Sequence, residues 1–460
     1  MMSLVIILSL TYLQFFAGFG IVHLCKLRLS LPLRVAVSIL LGVAVFSIVP
    51  FLLQLVFVPL TVVNIFVGLL VVATLLNLKS TTEFIGFFKE LRAFRPRFKI
   101  YELPFILLIV VMVFLSAWRC YYFPPSPRDL TSGAEVIAEY AIKEKTMINS
   151  VFSVDLSTTN NQYKPPYITC LQIIYKYVGF PFGQVWLSTI FICFVIFLYQ
   201  VLSRRLHKII TGLLLVAFIA NPEMYGYTVM ALFDYSNAVF FCLSLYFLFE
   251  FFSSGEKNRL VLSGILMAIA TYIRSETLIL AVLVLPALLF YHWRNKLRLK
   301  TMVRDASYFV IPSVLIYLLT ITIYINYYLP SSYAVDSLLN KNLLNLGAFY
   351  KRLADMTGNL LFAGNAINYY GYFTFLFVIV LTVNAFFNKP WNRASLNWLF
   401  AVLIIFLGLP LIGYLFPLYD LDNSTKRGLF KIFPLMLLFM ANSRVLISLS
   451  EHISRWERTP

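Results

Sequence analysis

Apolar residues run through this chain in long blocks, which short polar and basic segments separate. A helix needs roughly 20 mainly apolar residues to cross a hydrocarbon core about 30 Å thick. Blocks near this length recur from one end of the chain to the other, and they predict about thirteen membrane-spanning helices. The predicted spans are Leu4–Leu24, Val35–Val56, Leu60–Leu76, Leu103–Phe123, Val185–Leu202, Ile209–Ala220, Ser236–Phe252, Leu260–Ile273, Thr277–His292, Tyr308–Tyr328, Tyr372–Phe387, Leu396–Phe416 and Leu429–Leu449. The fold class is therefore all-α and polytopic, with no soluble domain of ordinary size.

Composition agrees with this pattern. Of the 460 residues, 60% are hydrophobic and 12% are charged, whereas roughly a quarter of the residues in a soluble domain are charged. The net charge of +17 would suggest nucleic-acid binding in a soluble protein. Here the basic residues lie in short loops between apolar blocks, where they set topology beside anionic lipid. The five cysteines have no metal-ligand spacing. Nucleic acid is thus excluded as the expected partner.

The basic loops also predict an orientation. If the spans simply alternate, all of these loops fall on one side of the membrane, and that side is the cytoplasm. The members are Lys26, Arg28, Arg34, Lys89, Arg92, Arg95, Arg97, Lys99, Arg204, Arg205, Lys208, Lys257, Arg259, Arg294, Lys296, Arg298, Lys300, Arg304, Lys389, Arg393, Arg455 and Arg458. We therefore expect the N-terminus outside and the C-terminus in the cytoplasm. Met1–Cys25 lacks a basic n-region and a cleavage site, which predicts a first span rather than a signal peptide. Thr81–Arg97 predicts an amphipathic helix on the cytoplasmic surface.

Two long segments, Tyr122–Gln184 and Leu329–Gly371, fall on the outer side, and loops of this length usually carry function. The first begins with a proline-rich stretch that keeps the chain extended and presents Arg128 and Asp129 at the interface. A helix is predicted from Ser132 to about Lys145, with Thr131 or Ser132 as its N-cap. Asp155, Tyr163 and Lys164-Pro165-Pro166-Tyr167 follow, and then a short surface helix over Thr169–Val178.

Later outer turns place more charged residues at the same depth. Glu223 and Asp234 bracket one turn, and Arg274 and Glu276 share a very tight one. Ionisable groups there are costly unless they are paired or line a wet cavity, so they are a functional hypothesis by default. The alternative is a purely structural ion pair of Arg274 with Glu276 or Asp234. A last outer turn carries Asp420, Asp422 and Arg427, and its two aspartates either touch a metal or are simply solvated.

In their order along the chain, these segments resemble the GT-C superfamily of polytopic glycosyltransferases, in particular protein O-mannosyltransferases and lipid A aminoarabinose transferases. The resemblance rests on five short motifs and covers roughly Leu103–Trp293 and, more weakly, Asp420–Pro434. They are Arg128-Asp129 before a helix, Lys164-Pro165-Pro166-Tyr167, Asn221-Pro222 followed by Asp234, Gly264 leading into Arg274-Ser275-Glu276, and Arg427-Gly428-Leu429-Phe430. This chain departs from many relatives because Leu130 follows Asp129, and because three spans precede the resembling part.

The resemblance implies a division into an N-terminal three-span segment with the amphipathic helix (1–102), a GT-C-like catalytic module (103–293) and a C-terminal membrane region (294–460) with the outer loop 329–371. It also implies transfer of a sugar from a polyprenyl-phosphate donor to an acceptor hydroxyl, with inversion. Asp129 is the candidate general base. The candidate ligands of the donor phosphate are Arg274, Arg427 and Lys164. Asp234, Glu276, Asp155, Arg128 and Tyr167 are the candidates for orienting these cations or for binding sugar or acceptor.

The expected partners are a polyprenyl-phosphate-linked sugar, a glycolipid, polysaccharide or protein acceptor, and membrane lipid. No cofactor is implied, and no metal ligands are assigned, although a divalent metal stays open. We expect the inner membrane of a bacterium, with the active site facing outward.

Two rival functions use similar substrates. A polysaccharide ligase would need an outer-face histidine, but His23, His207, His292 and His452 all fall at or near the cytoplasmic side. A transporter or flippase of a lipid-linked glycan would show internal repeats and charges near the bilayer midplane. The charges here cluster at one face, which favours the transferase.

Overall fold

The structure is a computed structural model that describes residues 2–95, 98–126, 133–153, 164–329, 345–362, 366–387, 391–415 and 424–458. Helices are the only regular secondary structure in these ranges, which contain no β-strand. The α-helices are α1 (Met2–Leu24), α2 (Leu31–Leu55), α3 (Val62–Asn77), α4 (Thr81–Ala93), α5 (Leu103–Tyr122), α6 (Ala134–Glu144), α7 (Tyr167–Tyr177), α8 (Trp186–Leu202), α9 (Lys208–Ile219), α10 (Pro222–Tyr227), α11 (Phe233–Ser254), α12 (Lys257–Ile273), α13 (Thr277–Arg294), α14 (Leu299–Tyr317), α15 (Leu346–Asp355), α16 (Ala366–Tyr370), α17 (Phe373–Phe387), α18 (Arg393–Leu415), α19 (Ile432–Asn442) and α20 (Arg444–Arg458). The short turns Lys426–Gly428 and Leu429–Lys431 lead into α19, and the π-helical turns Leu318–Tyr328 and Met356–Phe362 continue α14 and α15.

Seven of the described helices are long and apolar enough to cross a membrane, and up to nine are if each of two bent pairs counts as one span. The seven are Met2–Leu24, Leu31–Leu55, Ile100–Tyr122, Phe233–Ser254, Thr277–Arg294, Leu299–Tyr328 and Arg393–Leu415. The prediction of an all-helical polytopic membrane protein is thereby confirmed at the level of seven to nine candidate spans. Some of the thirteen predicted spans are observed as shorter apolar helices, such as Trp186–Leu202 and Lys208–Ile219.

Both bent pairs occur where the chain passes from an apolar helix to an amphipathic one. The helix Thr81–Ala93 turns 92° away from Val62–Asn77, as expected of a helix that lies along a surface. At the other end of the chain, the predicted span Leu429–Leu449 is not one straight helix, because the helices on either side of Ser443 meet at 54°. Ser443 has an extended backbone there, and its hydroxyl accepts a hydrogen bond from the backbone N–H of Leu446 at 3.4 Å, which starts the next helix.

The first two helices pack backbone against backbone. A Cβ placed on Gly18 of α1 would lie 1.8 Å from the carbonyl oxygen of Ser38, and one placed on Gly42 of α2 would lie 1.9 Å from that of Gln14. Small residues allow this close approach, which is a common way for membrane helices to associate. Gly264 allows the same close approach between α12 and α14, because a Cβ placed on it would lie 2.2 Å from the carbonyl oxygen of Tyr308.

The first long outer segment folds onto the bundle through α6 and α7. The predicted helix Ser132–Lys145 is observed as Ala134–Glu144, with Gly133 at the N-cap position, and Thr131 and Ser132 lie outside the described residues. Glu135 in its first turn is buried and binds Lys176 Nζ and Gln172 Nε2, each at 2.5 Å. These contacts join α6 to α7, which begins three residues after Lys164.

Candidate functional site

The centre of the candidate site is Asp234, in the first turn of α11. Its side chain is completely buried and is bound by two arginines from different parts of the chain. Arg427 Nε donates to Asp234 Oδ2 at 2.9 Å, and Arg274 Nη1 donates to Asp234 Oδ1. A carboxylate in the first turn of a helix also lies in the favourable field of the helix dipole. Asp234 therefore joins α11 to the end of α12 and to the turn before α19.

The tight turn between α12 and α13 positions Arg274 and Glu276. Arg274 has an extended backbone, which ends α12, and the backbone N–H of Thr277 donates to the carbonyl oxygen of Arg274 at 3.0 Å. The side-chain amide of Asn237 fastens this turn to α11, because it donates to Ala270 O at 2.6 Å and to Thr277 Oγ1 at 2.9 Å. The side chain of Arg274 can thus reach Asp234 and, through its Nε, the carboxylate of Glu276.

Lysine side chains from two other segments complete the cluster. Burial favours the neutral acid of Glu276, but the positive charges of Arg274, Lys431 and Lys164 hold its pKa below the usual range. Lys164 lies with Nζ 5.5 Å from the ring centroid of Phe233, the residue before Asp234. We refer to Lys164, Arg274, Arg427 and Lys431, together with Asp234 and Glu276, as the cation cluster.

Lys431 differs from the other three cations. Its side chain is completely buried, and its Nζ has no hydrogen-bond partner in the described part of the chain. Its amino group therefore differs from the guanidinium groups that Asp234 binds. Burying an amino group without a partner costs free energy, and a bound anion would relieve that cost.

A second ion pair borders the cluster. Lys426 Nζ lies 2.7 Å from Glu223 Oε1 and 3.5 Å from the ring centroid of Tyr369. Tyr370 donates from its hydroxyl to the carbonyl oxygen of Lys426 at 3.2 Å. Asn221 supports Glu223 by capping α10, since its Oδ1 accepts from the backbone N–H of Met224 at 3.3 Å. These contacts hold the chain segment that carries Arg427 and Lys431.

Five of the nine site residues that the sequence predicts therefore come together: Lys164, Asp234, Arg274, Glu276 and Arg427. Asp129, Arg128 and Asp155 lie outside the described residues, as do Asp420 and Asp422. Lys431 and Lys426 also lie here, but neither is among the site residues that the sequence predicts. Lys431 could have been found from its spacing, because it follows Arg427 by four residues, which places both on one face of a helix.

Tyr167 is not a sugar-binding surface in this structure. It is completely buried at the start of α7, where its ring makes edge contacts with Trp186 and Tyr272, each at 5.9 Å between centroids. The sequence places Tyr167 after two prolines in an outer loop, which suggests exposure. The structure instead packs α7 into the bundle and uses the carbonyl oxygen of Tyr167 as the acceptor for Ser47 Oγ at 2.9 Å.

Within the described ranges, no three His, Cys, Asp or Glu side chains form a group that could hold a metal ion. Cys120 and Cys170, which both fall near the predicted outer face, are free and buried. The chemistry that the described side chains offer is the binding of an anion by arginine and lysine.

The cation cluster and the predicted cytoplasmic residues lie at opposite ends of α11. Asp234 is in the first turn of this helix, and Glu250 near its other end pairs with Arg259. Sixteen residues of α-helix separate the two carboxylates by about 24 Å along the axis. Another member of the basic set, Lys208, pairs with the carboxylate of Glu102 at 2.6 Å.

Searches for similar proteins found no matching family model, no matching curated protein and no matching solved structure.

Proposed function

We propose that this protein is a glycosyltransferase that moves a sugar from a polyprenyl-phosphate donor to an acceptor hydroxyl at the non-cytoplasmic face of a membrane. The observation that carries the proposal is the cation cluster, and above all Lys431, whose buried Nζ has no hydrogen-bond partner among the described residues. A lipid-linked phosphate would supply an anion at membrane depth, where the Nζ of Lys431 could bind it. The GT-C arrangement of about thirteen helices is part of the same proposal.

The proposed chemistry needs few groups. The departing polyprenyl phosphate develops negative charge, which Arg274, Arg427 and Lys431 would stabilise, with Lys164 at the edge of the cluster. Asp234 already holds both arginines, so they are positioned before the donor arrives. Asp129 would accept the proton of the acceptor hydroxyl as it attacks the sugar carbon. Glu276, Arg128 and Asp155 would bind sugar or acceptor.

The location of the cluster supports an active site on the outer face. The predicted cytoplasmic set includes Arg259, whose ion pair with Glu250 lies at the opposite end of α11 from Asp234. We propose the inner membrane of a bacterium, with the cluster facing the periplasm or the exterior. The acceptor would be a glycolipid, a polysaccharide or a protein.

A structural role for the ion pairs is the competing explanation. It accounts for Asp234, Arg274 and Arg427, which bind one another across three elements. It does not account for Lys431, because a buried lysine whose Nζ has no partner in the described part of the chain joins no two elements and costs free energy. A substitution at Lys431 therefore separates the two explanations.

The test measures the thermal stability of the purified full-length protein against a panel of polyprenyl phosphates, in wild type, Lys431→Met and Lys208→Met. A ligand at a hundred times its dissociation constant stabilises a protein by roughly 2.7 kcal/mol. We expect Lys431→Met to keep or gain basal stability and to weaken lipid-phosphate binding by about 10- to 100-fold, the value of one charged hydrogen bond. Lys208→Met should lower basal stability and leave lipid-phosphate binding unchanged, because Lys208 pairs with Glu102 far from the cluster.

Two results would count against the proposal. The first is a folded wild type that responds to no polyprenyl phosphate, which would favour a transporter of another substrate. The second is an equal thermal stabilisation of wild type and Lys431→Met by the lipid phosphate, which would favour a purely structural role for the cluster. If the lipid phosphate binds, Asp129→Asn should bind the donor normally and lose transfer by a factor of roughly 100 or more in a radiolabelled-sugar assay.

A further inference from the structure

A cavity of about 270 Å³ opens at the end of the molecule opposite the cation cluster. It lies between the ends of α8, α11 and α18, and Asn442 at the end of α19 completes its lining. Two of its lining residues are Arg204 and Arg205, in the turn after α8. A second cavity, of about 370 Å³, shares the same two arginines and is also lined by His207, Ser450, Ser454 and Arg455. We refer to the first as the arginine cavity.

The charge of the arginine cavity is not balanced by its own residues. Within the described part of the chain, neither Arg204 nor Arg205 forms an ion pair with a carboxylate, and both side chains are exposed. Glu250 also lines the cavity, but Arg259 pairs with its carboxylate. The cavity therefore offers two guanidinium groups to an external anion.

Neutral groups beside the arginines suit phosphate oxygens. Arg204 Nη1 donates to the hydroxyl oxygen of Tyr246 at 2.9 Å, which orients the guanidinium and leaves the hydroxyl proton of Tyr246 directed elsewhere. Asn397 adds a side-chain amide to the lining. Arginine and a neutral donor together form the usual environment of a bound phosphate in proteins.

The remaining wall of the cavity is apolar. Phe249 and Trp398 meet edge to face with their ring centroids 4.8 Å apart, and Val201 lies on the same wall. A free phosphate ion gains nothing from such a wall, whereas the glycerol and first acyl carbons of a phospholipid do. Basic pockets between membrane helices on the cytoplasmic side are typical headgroup sites.

We infer that the arginine cavity is a binding site for the headgroup of an anionic phospholipid, with the phosphate held by Arg204 and Arg205 and the glycerol region against Phe249 and Trp398. This site is separate from the proposed donor site, because the two lie at opposite ends of α11. It would hold one lipid at the junction of the four helix ends and so stabilise their packing. Binding needs no activity of the cation cluster, and its test is independent of it.

The experiment titrates the detergent-purified full-length protein with short-chain phosphatidylglycerol and follows the binding by native mass spectrometry and by thermal stability. Each basic residue near an anionic lipid contributes roughly a fivefold gain in affinity, so Arg204→Gln with Arg205→Gln should weaken binding roughly thirtyfold. Arg204→Lys with Arg205→Lys keeps both charges and should retain most of the affinity. Arg294→Gln with Arg298→Gln removes two exposed arginines that line neither cavity and should leave the affinity unchanged.

Two further ligands distinguish the source of the phosphate. Phosphatidylcholine of the same chain length should bind at least about tenfold more weakly, because its headgroup has no net charge. Inorganic phosphate should not compete with phosphatidylglycerol at millimolar concentration. Equal binding of phosphatidylcholine, competition by inorganic phosphate, or an equal loss in the Arg294/Arg298 double variant would each overturn the inference. So would unchanged phosphatidylglycerol binding in the folded Arg204/Arg205 glutamine variant.

Discussion

The two most deeply buried charges of the cation cluster, Asp234 and Lys431, have opposite roles. Asp234 accepts hydrogen bonds from two arginines, so its burial is compensated and its removal would leave both guanidinium groups without their shared acceptor. Lys431 has no such partner among the described residues. One residue therefore organises the cluster, and the other supplies a charge that the folded chain does not need for its own stability.

Glu276 gives the cluster a pH dependence. Cations hold its pKa below the usual range, so its ionised form stabilises the folded state above the unfolded pKa of about 4.3. This contribution is lost as the pH falls through the lower pKa of the folded state. We expect Glu276→Gln to lower the free energy of unfolding by about 1–3 kcal/mol at pH 7, and the difference from wild type to shrink below about pH 4. Denaturant titration in detergent micelles at several pH values measures both effects.

Glu90→Gln is the control, because Glu90 pairs with Arg34 on an exposed surface, where such pairs contribute less than about 1 kcal/mol. A Glu276→Gln effect that stayed constant down to pH 3 would mean that the ionised carboxylate contributes nothing.

The blocks of apolar residues predict the positions of many helices along the chain. The tight turn at Arg274 is an example, since the predicted spans on either side end at Ile273 and begin at Thr277, as the helices do. The pattern is less accurate where contacts between distant segments determine the structure. It predicts that α11 starts at Ser236, but the helix starts at Phe233 and so includes Asp234. Tyr167 is buried because α7 docks on α2, a contact between distant segments that no local pattern contains.

The same distinction applies to the candidate site. The sequence predicts Arg274, Glu276, Asp234 and Arg427 as site residues because all four lie at one predicted depth. Charged side chains at that depth are costly unless they are paired or line a wet cavity. Lys431 lies inside an apolar block, where the sequence does not tell whether a lysine is buried in the bundle or extends to the interface. Its four-residue spacing from Arg427 places both on one helical face, but only the packing of the turn Leu429–Lys431 shows that Lys431 is buried.

Helix packing at the N-terminal end can be tested at Gly42. A methyl group there would lie 1.9 Å from the backbone oxygen of Gln14, and backbone cannot move aside cheaply. We expect Gly42→Ala to lower the free energy of unfolding by about 1–3 kcal/mol, the usual cost of overpacking. Gly86→Ala in α4 is the matched control, because nothing lies within 4 Å of its added methyl group. It should be neutral or slightly stabilising, by up to about 1 kcal/mol. Equal effects of the two substitutions in a denaturant titration would show that α1 and α2 are not packed this closely.

On the scale of the whole molecule, the charged groups of the two proposed sites lie at opposite ends of the helix bundle. One end has the cation cluster and the pair Glu223–Lys426. The other has the arginine cavity and the pair Arg259–Glu250. Charges at both ends of an apolar bundle are expected when two polar surfaces bound a hydrocarbon layer. The proposed function depends on which end faces the cytoplasm, because a donor phosphate at the outer face requires the cation cluster to be there.

Thiol labelling decides this orientation, because all five native cysteines are buried and should give little background. Tyr372 is 73% exposed and lies at the same end of the molecule as the cation cluster. Its neighbour Gly371 lies close to Pro222, which precedes Glu223. Ser254 is exposed at the far end of α11. In intact cells, a membrane-impermeant maleimide should label Tyr372→Cys, and it should label Ser254→Cys only after the membrane is permeabilised. The reverse pattern would place the cation cluster in the cytoplasm and remove the basis for transfer at the outer face. Labelling of both cysteines from one side would contradict the arrangement of α11 across the membrane, and with it the separation of the donor site from the phospholipid site.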